Sequence, residues 1–316
     1  MRKRKKLKIS TKNKSYSLIE SPFYKLKTKN KLAALLGVSI PELFLLGKDD
    51  GNYSVFEQLS KKGKSRQIQK PLDALDIVHT RIASLLSRIA LPEYLHSGKK
   101  GHSNISNART HLNSEKMMTA DVKSFFPSTS RMMVFSFFFS VMRTSSDVAD
   151  VLSNICTCHG QLPTGSRLSM PLAYFANSRM FDEINKLCQK LKVSMTVYVD
   201  DLTFSGGNVN RLFCSVIRKI INKHGHTMHP TKTRMYASDE PKLVTGVIVI
   251  GNTLKVRNEQ HRLMTQEIEY WKIIKDFENA KDTSIAKTLF GRLHSMGVIE
   301  QRYKSKVLTL KADTAN

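Results

Sequence analysis

Residues 195–206 read MTVYVDDLTFSG, and this stretch decides both the fold class and the most informative candidate site. The runs TVYV and LTF are rich in β-branched and aromatic residues, which predicts two short strands joined by a turn at Asp200 and Asp201. Adjacent carboxylates at the tip of such a hairpin repel each other and are costly near a core unless a cation compensates them. An ordinary Asp-Asp turn is the alternative interpretation.

A third acid lies on a second predicted strand. Residues 116–126 read KMMTADVKSFF, which predicts a strand that runs into a turn and a helix, with Asp121 at the end of the strand. If the two strands share a sheet, Asp121, Asp200 and Asp201 converge on one sheet edge. Carboxylates suit Mg²⁺, and two ions roughly 3.5–4 Å apart stabilise a phosphoryl transfer. The three acids are therefore candidate catalytic residues and ligands of two Mg²⁺ ions.

The rest of the chain alternates between helical and strand patterns. The spacing predicts a hairpin at 53–72 and a helix that ends before Pro92. It then predicts helices at 131–142, 168–191 and 211–225, a glycine-punctuated hairpin at 242–256, and a helical tail from Arg257. This order favours the α+β class, with an antiparallel sheet and helices on one face.

Composition points to a polyanionic partner. The 316 residues include 51 Lys and Arg against 26 Asp and Glu, so the net charge is +25 and the isoelectric point is near 9.9. Nucleic acid is the leading candidate, although a basic scaffold or an anionic membrane surface stays open on charge alone. We expect a cytoplasmic protein without a membrane partner, because no apolar run nears the roughly 18 residues of a span, no signal peptide is visible, and the four cysteines form no disulfide framework.

The N-terminus concentrates this charge. Residues 1–31 hold twelve Lys and Arg and one acid, Glu20. We expect residues 1–30 to form a basic arm whose first part stays loose until phosphate orders it. The alternative is a solvated tail that only aids solubility.

Four motifs in this order resemble those of reverse transcriptases over about residues 60–250. YVDD (198–201) resembles the catalytic hairpin, and DVKSFFPS (121–128) resembles the first catalytic motif. LPTGSRLSMP (162–171) and RQIQKP (66–71) resemble the motif between them and the fingers motif. NARTH (107–111) and VTG (244–246) resemble two signatures of the bacterial retron enzymes. The chain is therefore similar to retron reverse transcriptases, a family of RNA-directed DNA polymerases.

The resemblance implies a right-hand polymerase fold, with the arm at 1–30, fingers and palm at 31–251, and a helical thumb at 252–316. It implies that Asp121, Asp200 and Asp201 bind two Mg²⁺ ions together with the backbone of Val122. It implies that the incoming dNTP is bound by Arg66, Lys64, Phe126, Gly165 and Lys232. It also implies that the two signatures bind RNA through Asn107, His111, Val244, Thr245 and Gly246.

The chain departs from the family at the motif that precedes the hairpin. Thr164 stands where the family has Gln, and Ser169 and Pro171 are separated by Met170. Fidelity or nucleotide affinity is therefore expected to differ. Of Phe125 and Phe126, one is expected in the core and the other against the sugar. A zinc reading of Cys156, Cys158 and His159 is rejected, since no second ligand pair has suitable spacing.

The family's activity implies the partners. A retron enzyme recognises a cognate structured noncoding RNA, primes from a guanosine 2′-OH and copies part of the RNA into DNA, usually in anti-phage defence. Beside the RNA, its DNA product and dNTPs, we expect a host RNase H, because residues 252–316 are too few for an RNase H domain. We also expect a separate effector protein, because no effector domain is visible in the sequence. Two rivals stay open: a non-catalytic RNA-binding protein on a polymerase fold, and a group II intron-like reverse transcriptase.

Overall fold

The computed structural model describes residues 7–48, 51–59, 63, 65–277 and 279–312, so Lys64 of the nucleotide prediction lies outside the described residues. The strands are β1 (Tyr53–Leu59), β2 (Ser65–Pro71), β3 (Met117–Asp121), β4 (Ser194–Tyr198), β5 (Asp201–Ser205), β6 (Arg234–Tyr236), β7 (Lys242–Val244), β8 (Val247–Ile250) and β9 (Thr253–Val256). The helices are α1 (Lys29–Leu36), α2 (Ile40–Leu46), α3 (Asp73–Leu86), α4 (Asn104–Arg109), α5 (Phe125–Ser128), α6 (Arg131–Ser136), α7 (Ser146–Cys156), α8 (Ser169–Ala176), α9 (Ser178–Lys190), α10 (Arg211–Lys223), α11 (Asn258–Ile274), α12 (Ser284–Ile299) and α13 (Arg302–Ala312).

A four-stranded antiparallel sheet in the order β4-β5-β3-β6 carries the predicted catalytic hairpin. The register between β3 and β5 sets Asp121 opposite Asp201. Because successive side chains alternate between the faces of a sheet, residues paired in register share a face. Strands β3 and β5, which carry Asp121 and Asp201 at their ends, are therefore neighbours, as the sequence predicts.

The two faces of this sheet differ in chemistry. One face carries Met118 and Phe204, which are register partners, and the Phe204 ring meets Phe213 of α10 edge to face at 5.3 Å. The other face carries Thr119 and Thr203 as partners, and it ends at Asp121 and Asp201. Helix α10 thus packs on the apolar face, and the acids belong to the polar one.

The predicted helix over 168–191 is wrong as a single element. The chain breaks at Asn177 into α8 and α9. The buried Asn177 amide donates to the carbonyl of Ala173 and to the hydroxyl of Thr129, while its oxygen accepts from the His226 ring. Two of these partners, Thr129 and His226, lie outside the helix, and the bonds to them hold the helix break in place within the core.

Two further expectations change in detail. The predicted hairpin at 242–256 is a three-stranded antiparallel meander, β7-β8-β9. The N-terminal arm is not loose throughout its described residues: the Ser10 amide donates to the Ser84 hydroxyl, Tyr16 exchanges backbone hydrogen bonds with Arg88 and Ala90, and Phe23 is fully buried. Apolar side chains in the second half of the arm explain this, since burying one contributes about 1.5–3 kcal/mol. Residues 1–6 lie outside the described residues.

A second apolar cluster follows the meander, apart from the main core. It runs from Val256 to Val307 across α11, α12 and α13, with the buried Trp271 ring packed edge to face on Phe290. The sequence-predicted helical tail is confirmed as these three helices. No helix in the described part of the chain combines the length and apolar composition that crossing a membrane requires.

Candidate catalytic site

The tip of the catalytic hairpin is a two-residue turn. Tyr198 pairs with Asp201, so Val199 and Asp200 form the turn, and Val199 has a φ of 61°. A β-branched residue in this left-handed region is strained by roughly 1–3 kcal/mol. The Ser97 hydroxyl accepts from the Val199 amide at 2.9 Å, and the Val122 amide donates to the Asp200 carbonyl at 2.9 Å. Bonds from two other segments therefore hold the strained turn in place.

The carboxyl groups of the catalytic hairpin are perturbed by burial and by neighbouring acids. Burial, together with the charges of Asp200 and Asp121, raises the pKa of Asp201 to about 7. Burial also raises the pKa of Asp200, with a contribution from Asp121, whereas the charges of Lys232 and Arg66 oppose the shift. The acids are therefore close enough to repel, and a bound cation would relieve the repulsion.

A cationic side chain already lies at one of these acids. The Lys232 ammonium donates to Oδ2 of Asp121 at 2.7 Å. Asp121 is only 6% exposed, and its carbonyl accepts from the His229 amide at 2.7 Å. Lys232 follows this anchoring contact by three residues. Residues 229–233, which read HPTKT, thus bring a positive charge to Asp121 at the end of β3.

The donor set fits a hard divalent ion, although the described residues contain no cluster of three or more Asp, Glu, His or Cys side chains already arranged around a metal position. The acid side chains at the end of the polar face supply oxygen donors, which Mg²⁺ prefers. The raised pKa values of Asp200 and Asp201, and the ammonium that neutralises Asp121, show that this position attracts positive charge.

Two of the residues predicted to bind the nucleotide, Arg66 and Gly165, lie on segments that meet. Arg66 is exposed on β2 of the hairpin, and its charge reaches Asp200. The Gly165 amide donates to the Gln69 carbonyl of β2 at 3.2 Å, and a β-carbon at Gly165 would lie 2.8 Å from that oxygen. The Thr164 hydroxyl donates to the Gln67 carbonyl at 2.8 Å. The residue that replaces the family's Gln therefore joins this loop to the hairpin.

The two adjacent phenylalanines have different surroundings. Phe125 is 3% exposed and packs on the rings of Phe181 and His226. Phe126 is only partly buried. The expectation that one ring of the pair belongs to the core fits Phe125, which leaves Phe126 as the candidate to meet the sugar.

The two retron-like signatures meet in the structure. The Asn107 amide donates to the Thr245 hydroxyl at 3.2 Å, which in turn donates to the Asn104 carbonyl at 3.1 Å. Asn107, His111 and Val244 have no exposed surface. Thr245 and Gly246 form the β7-β8 turn with positive φ, and Gly246 is exposed. Of the five residues predicted to contact RNA, Thr245 and Gly246 are therefore the ones with exposed surface.

His111 links this region to the catalytic hairpin. Its two ring nitrogens each lie 2.7 Å from a hydroxyl, one of Ser205 on β5 and one of Thr196 on β4. Burial lowers the pKa of His111 to about 3, so the ring is neutral. A neutral, fully buried imidazole between the two strands is a clamp on the hairpin, not a group aimed at solvent.

Three side chains that support the site were missed by sequence reasoning. Ser97 caps the strained turn. His79 accepts from the Ser166 hydroxyl at 2.7 Å and donates to the Ile155 carbonyl. His226 accepts from Ser128 at 2.8 Å and donates to Asn177. Isolated His and Ser residues carry no spacing signal, so only the fold shows their use.

Comparison with known proteins agrees with the motifs. No protein-family model matches the chain. It is 28% identical over 247 residues to the retron Se72 reverse transcriptase of Salmonella heidelberg, covering 74% of this chain and 64% of the relative. It is 22% identical over 323 residues to the retron Ec48 reverse transcriptase of Escherichia coli, covering 95% of this chain and 78% of the relative.

A structural comparison concerns the fold alone. The telomerase of Candida albicans, solved with a fragment of telomeric RNA, superposes with a TM-score of 0.50 at 12% identity, over 83% of this chain and 54% of that one. The likeness agrees with a right-hand polymerase fold. The chain spans just under two thirds of the Se72 relative's length. By its motifs, its sequence relatives and its fold, this chain resembles the bacterial retron reverse transcriptases.

Proposed function

We propose that the protein is an RNA-directed DNA polymerase of the retron kind. The observation that carries the proposal is the register that sets Asp121 opposite Asp201, with Asp200 in the adjoining turn. Three acids from two remote segments meet at one sheet end, within reach of a basic hairpin and a basic lysine. The matches to retron reverse transcriptases support the same activity.

The mechanism assigns the acids to divalent cation binding. Asp121, Asp200, Asp201 and the Val122 backbone would hold two Mg²⁺ ions, which lower the barrier to attack of a primer hydroxyl on the α-phosphate of a dNTP. Arg66 binds the triphosphate from the hairpin, since a guanidinium forms forked bonds to phosphate. Gly165 lets the backbone approach the nucleotide, and Lys64 adds charge from the same hairpin.

Two side chains act on the nucleotide itself. The Lys232 ammonium leaves Asp121 and gives a proton to the departing pyrophosphate. The Phe126 ring excludes a ribose 2′-OH and so selects deoxyribose. Both roles use side chains that the fold leaves partly accessible.

The finer assignment follows the resemblance. The protein recognises a structured noncoding RNA, primes from the 2′-OH of a guanosine in it, and leaves a branched RNA–DNA molecule in the cytoplasm. The exposed Thr245–Gly246 turn contacts that RNA, while Asn107, His111 and Val244 support the turn from within. The basic arm comprises residues 1–30, the fingers and palm residues 31–251, and the thumb residues 252–316. A host RNase H degrades part of the RNA, and a separate effector protein acts in phage defence.

One assay separates this proposal from its rivals. Purified protein is incubated with Mg²⁺, dNTPs and the RNA transcribed from the DNA beside its gene. A branched product, in which the DNA stays attached to RNA after denaturation, supports the retron activity. Extension only of an added annealed primer supports an intron-like enzyme. RNA binding without synthesis supports a non-catalytic protein on a polymerase fold.

A further inference from the structure

The sequence after the catalytic hairpin contains a long segment without acids. From Leu202 to Ser238 there is no Asp or Glu, whereas six Lys and Arg occur. Four of the six belong to α10, and all four are exposed: Arg211, Arg218, Lys219 and Lys223. A helix whose charged residues all have one sign attracts a polyanion along its whole length.

This charge lies on the side of the sheet opposite to the acids. Helix α10 packs through Phe213 on Phe204, whose face of the sheet also carries Met118. Asp121 and Asp201 belong to the other face, by the alternation of side chains along each strand. A helix with its side chains is about 10–12 Å thick. A duplex held at the acids therefore does not reach the outer surface of α10.

Helix α9 enlarges the basic surface. The Lys223 ammonium bonds Glu183 of α9 at 2.9 Å, so the two helices lie side by side. The acids of α9 are already engaged, because Glu183 also accepts from His224 and Asp182 accepts from the Tyr94 hydroxyl at 2.9 Å. We define the back face as six of the exposed basic residues of α9, α10 and the turn after α9: Lys186, Lys190, Lys192, Arg211, Arg218 and Lys219.

Among the described residues, no acid neutralises these back-face side chains. In the described part of the chain, none of the six forms an ion pair of 4.0 Å or less. Arg211 and Arg218 are seven residues apart, which is about two helical turns, so they share one face of α10 at a separation of about 10 Å along its axis. These two charges therefore follow a line along the helix, as the phosphates of a nucleic acid strand do.

We propose that the back face binds the phosphate backbone of a structured RNA segment while the catalytic face holds template and primer. This rests on the proposed function, in which one RNA supplies both a folded part and a copied part. The outer surface of α10 offers Arg and Lys with Ser215 and Asn222, the side-chain types that contact phosphate. Its exposed large apolar side chain is Leu212 alone. A protein partner would need an apolar or aromatic centre, which this surface lacks.

The test measures RNA binding while the catalytic face is occupied. The full-length protein is saturated with an unlabelled short RNA template annealed to a DNA primer, without dNTPs. A labelled 20-base-pair RNA stem–loop is then titrated at several salt concentrations. The double variant Arg218→Glu/Lys219→Glu changes two exposed residues, and Arg218→Lys/Lys219→Arg is the control that keeps both charges. Thermal unfolding verifies that each variant is folded.

The wild-type protein and the control are expected to bind the stem–loop with affinities within about twofold, and the charge-reversed variant at least about tenfold more weakly. Loss of two phosphate contacts reduces the magnitude of the slope of log K against log salt by about 1.4–1.8. Primer extension on the short template is expected to be unchanged in both variants. In the bound state, lysine acetylation read by mass spectrometry is expected to show protection of Lys186, Lys190 and Lys219.

Three outcomes would overturn the proposal. Equal stem–loop affinity in the charge-reversed variant excludes a back-face contribution. Complete displacement of the stem–loop by the short template and primer assigns all RNA binding to the catalytic face. Competition by polyglutamate as effective as that by RNA, at equal charge, assigns the back face to acidic protein instead. Failure of the wild-type protein to extend the primer would contradict the proposed activity but leaves the binding result to stand by itself.

Discussion

The Lys232 ammonium lies 2.7 Å from Oδ2 of Asp121, so a half-exposed lysine neutralises a nearly buried acid at the end of β3. The ion pair occupies one oxygen of a residue that we assign to cation binding. We therefore expect a divalent ion bound there to compete with the lysine for Asp121. Displacement would free the Lys232 ammonium to face a phosphate.

Replacing Lys232 with Ala is expected to tighten divalent cation binding. The variant loses the competing charge, so its affinity for Mn²⁺, measured by electron paramagnetic resonance without nucleotide, should rise about three- to tenfold, which is roughly 0.7–1.4 kcal/mol. Nucleotide addition should nevertheless slow, because the proton donor is gone. Lys281→Ala, an exposed lysine on the segment before α12, is the control with the same charge change. Unchanged Mn²⁺ affinity in Lys232→Ala would disprove the competition.

Asp200→Asn is expected to abolish DNA synthesis without preventing RNA binding. The substitution keeps the size of the side chain but removes one charge from the cation site, so the rate of primer extension should fall at least about a thousandfold, or ~4 kcal/mol of barrier. RNA affinity in a filter-binding assay should stay within twofold. Synthesis at more than a tenth of the wild-type rate would show that Asp200 is not a metal ligand.

Phe126→Ala is expected to relax sugar selection. Removing a half-buried ring that we propose faces the ribose should raise the incorporation of rNTPs relative to dNTPs about tenfold or more, in a single-nucleotide extension assay. Phe125→Leu is the matched control: it should lower the melting temperature, because Phe125 is a core residue, and leave the selectivity as it is. If only the control altered the selectivity, the gate would belong to Phe125.

The sequence predicted those features that depend on local pattern. The YVDD hairpin, the strand before Asp121 and their antiparallel neighbourhood follow from alternation and motif order, and the structure confirms them as β4, β5 and β3. The break at Asn177 could not be foreseen, because the apolar spacing of 168–191 is helical throughout and the break depends on the remote partners Thr129 and His226.

The retron-like signatures show the same limit more sharply. The motif NARTH and the triplet VTG were identified as separate RNA contacts, since sequence places them 133 residues or more apart. The fold brings Asn107 to Thr245 and buries both Asn107 and His111. Spacing cannot predict this contact, because it is formed by the packing of α4 on the β7-β8 turn.

The Asn107–Thr245 contact should be measurable as a coupling energy. Asn107→Ala and Thr245→Val each break the 3.2 Å hydrogen bond, so each should lower the free energy of unfolding by about 1–3 kcal/mol. The double variant should lose less than the sum of the two, by about 0.5–1.5 kcal/mol, in urea denaturation. Strict additivity would show that the two signatures are stabilised independently. Asn104→Ala removes only the bond to the Thr245 carbonyl, so it should lower the free energy of unfolding less than either of the other single variants.

The neutral His111 clamp predicts a specific pH dependence. Burial lowers the pKa of His111 to about 3, against about 6.5 in the unfolded chain. Between these values the unfolded state binds a proton that the folded state does not, so the free energy of unfolding falls as the pH falls from about 6.5 toward 3. The slope is at most about 1.4 kcal/mol per pH unit for one group.

The variant His111→Gln isolates this contribution. His79 and His226 also have pKa values lowered to about 4 by burial, so the wild-type slope contains several groups. His111→Gln should be less stable at pH 7, because it loses the bonds to Ser205 and Thr196, but it should lose less stability between pH 7 and pH 5 than the wild type by about 1–2 kcal/mol. The exposed control His294→Gln should keep the wild-type pH dependence. If His111→Gln also keeps it, His111 is not held neutral between β4 and β5, and the clamp on the catalytic hairpin is not the hydrogen-bonded imidazole described above.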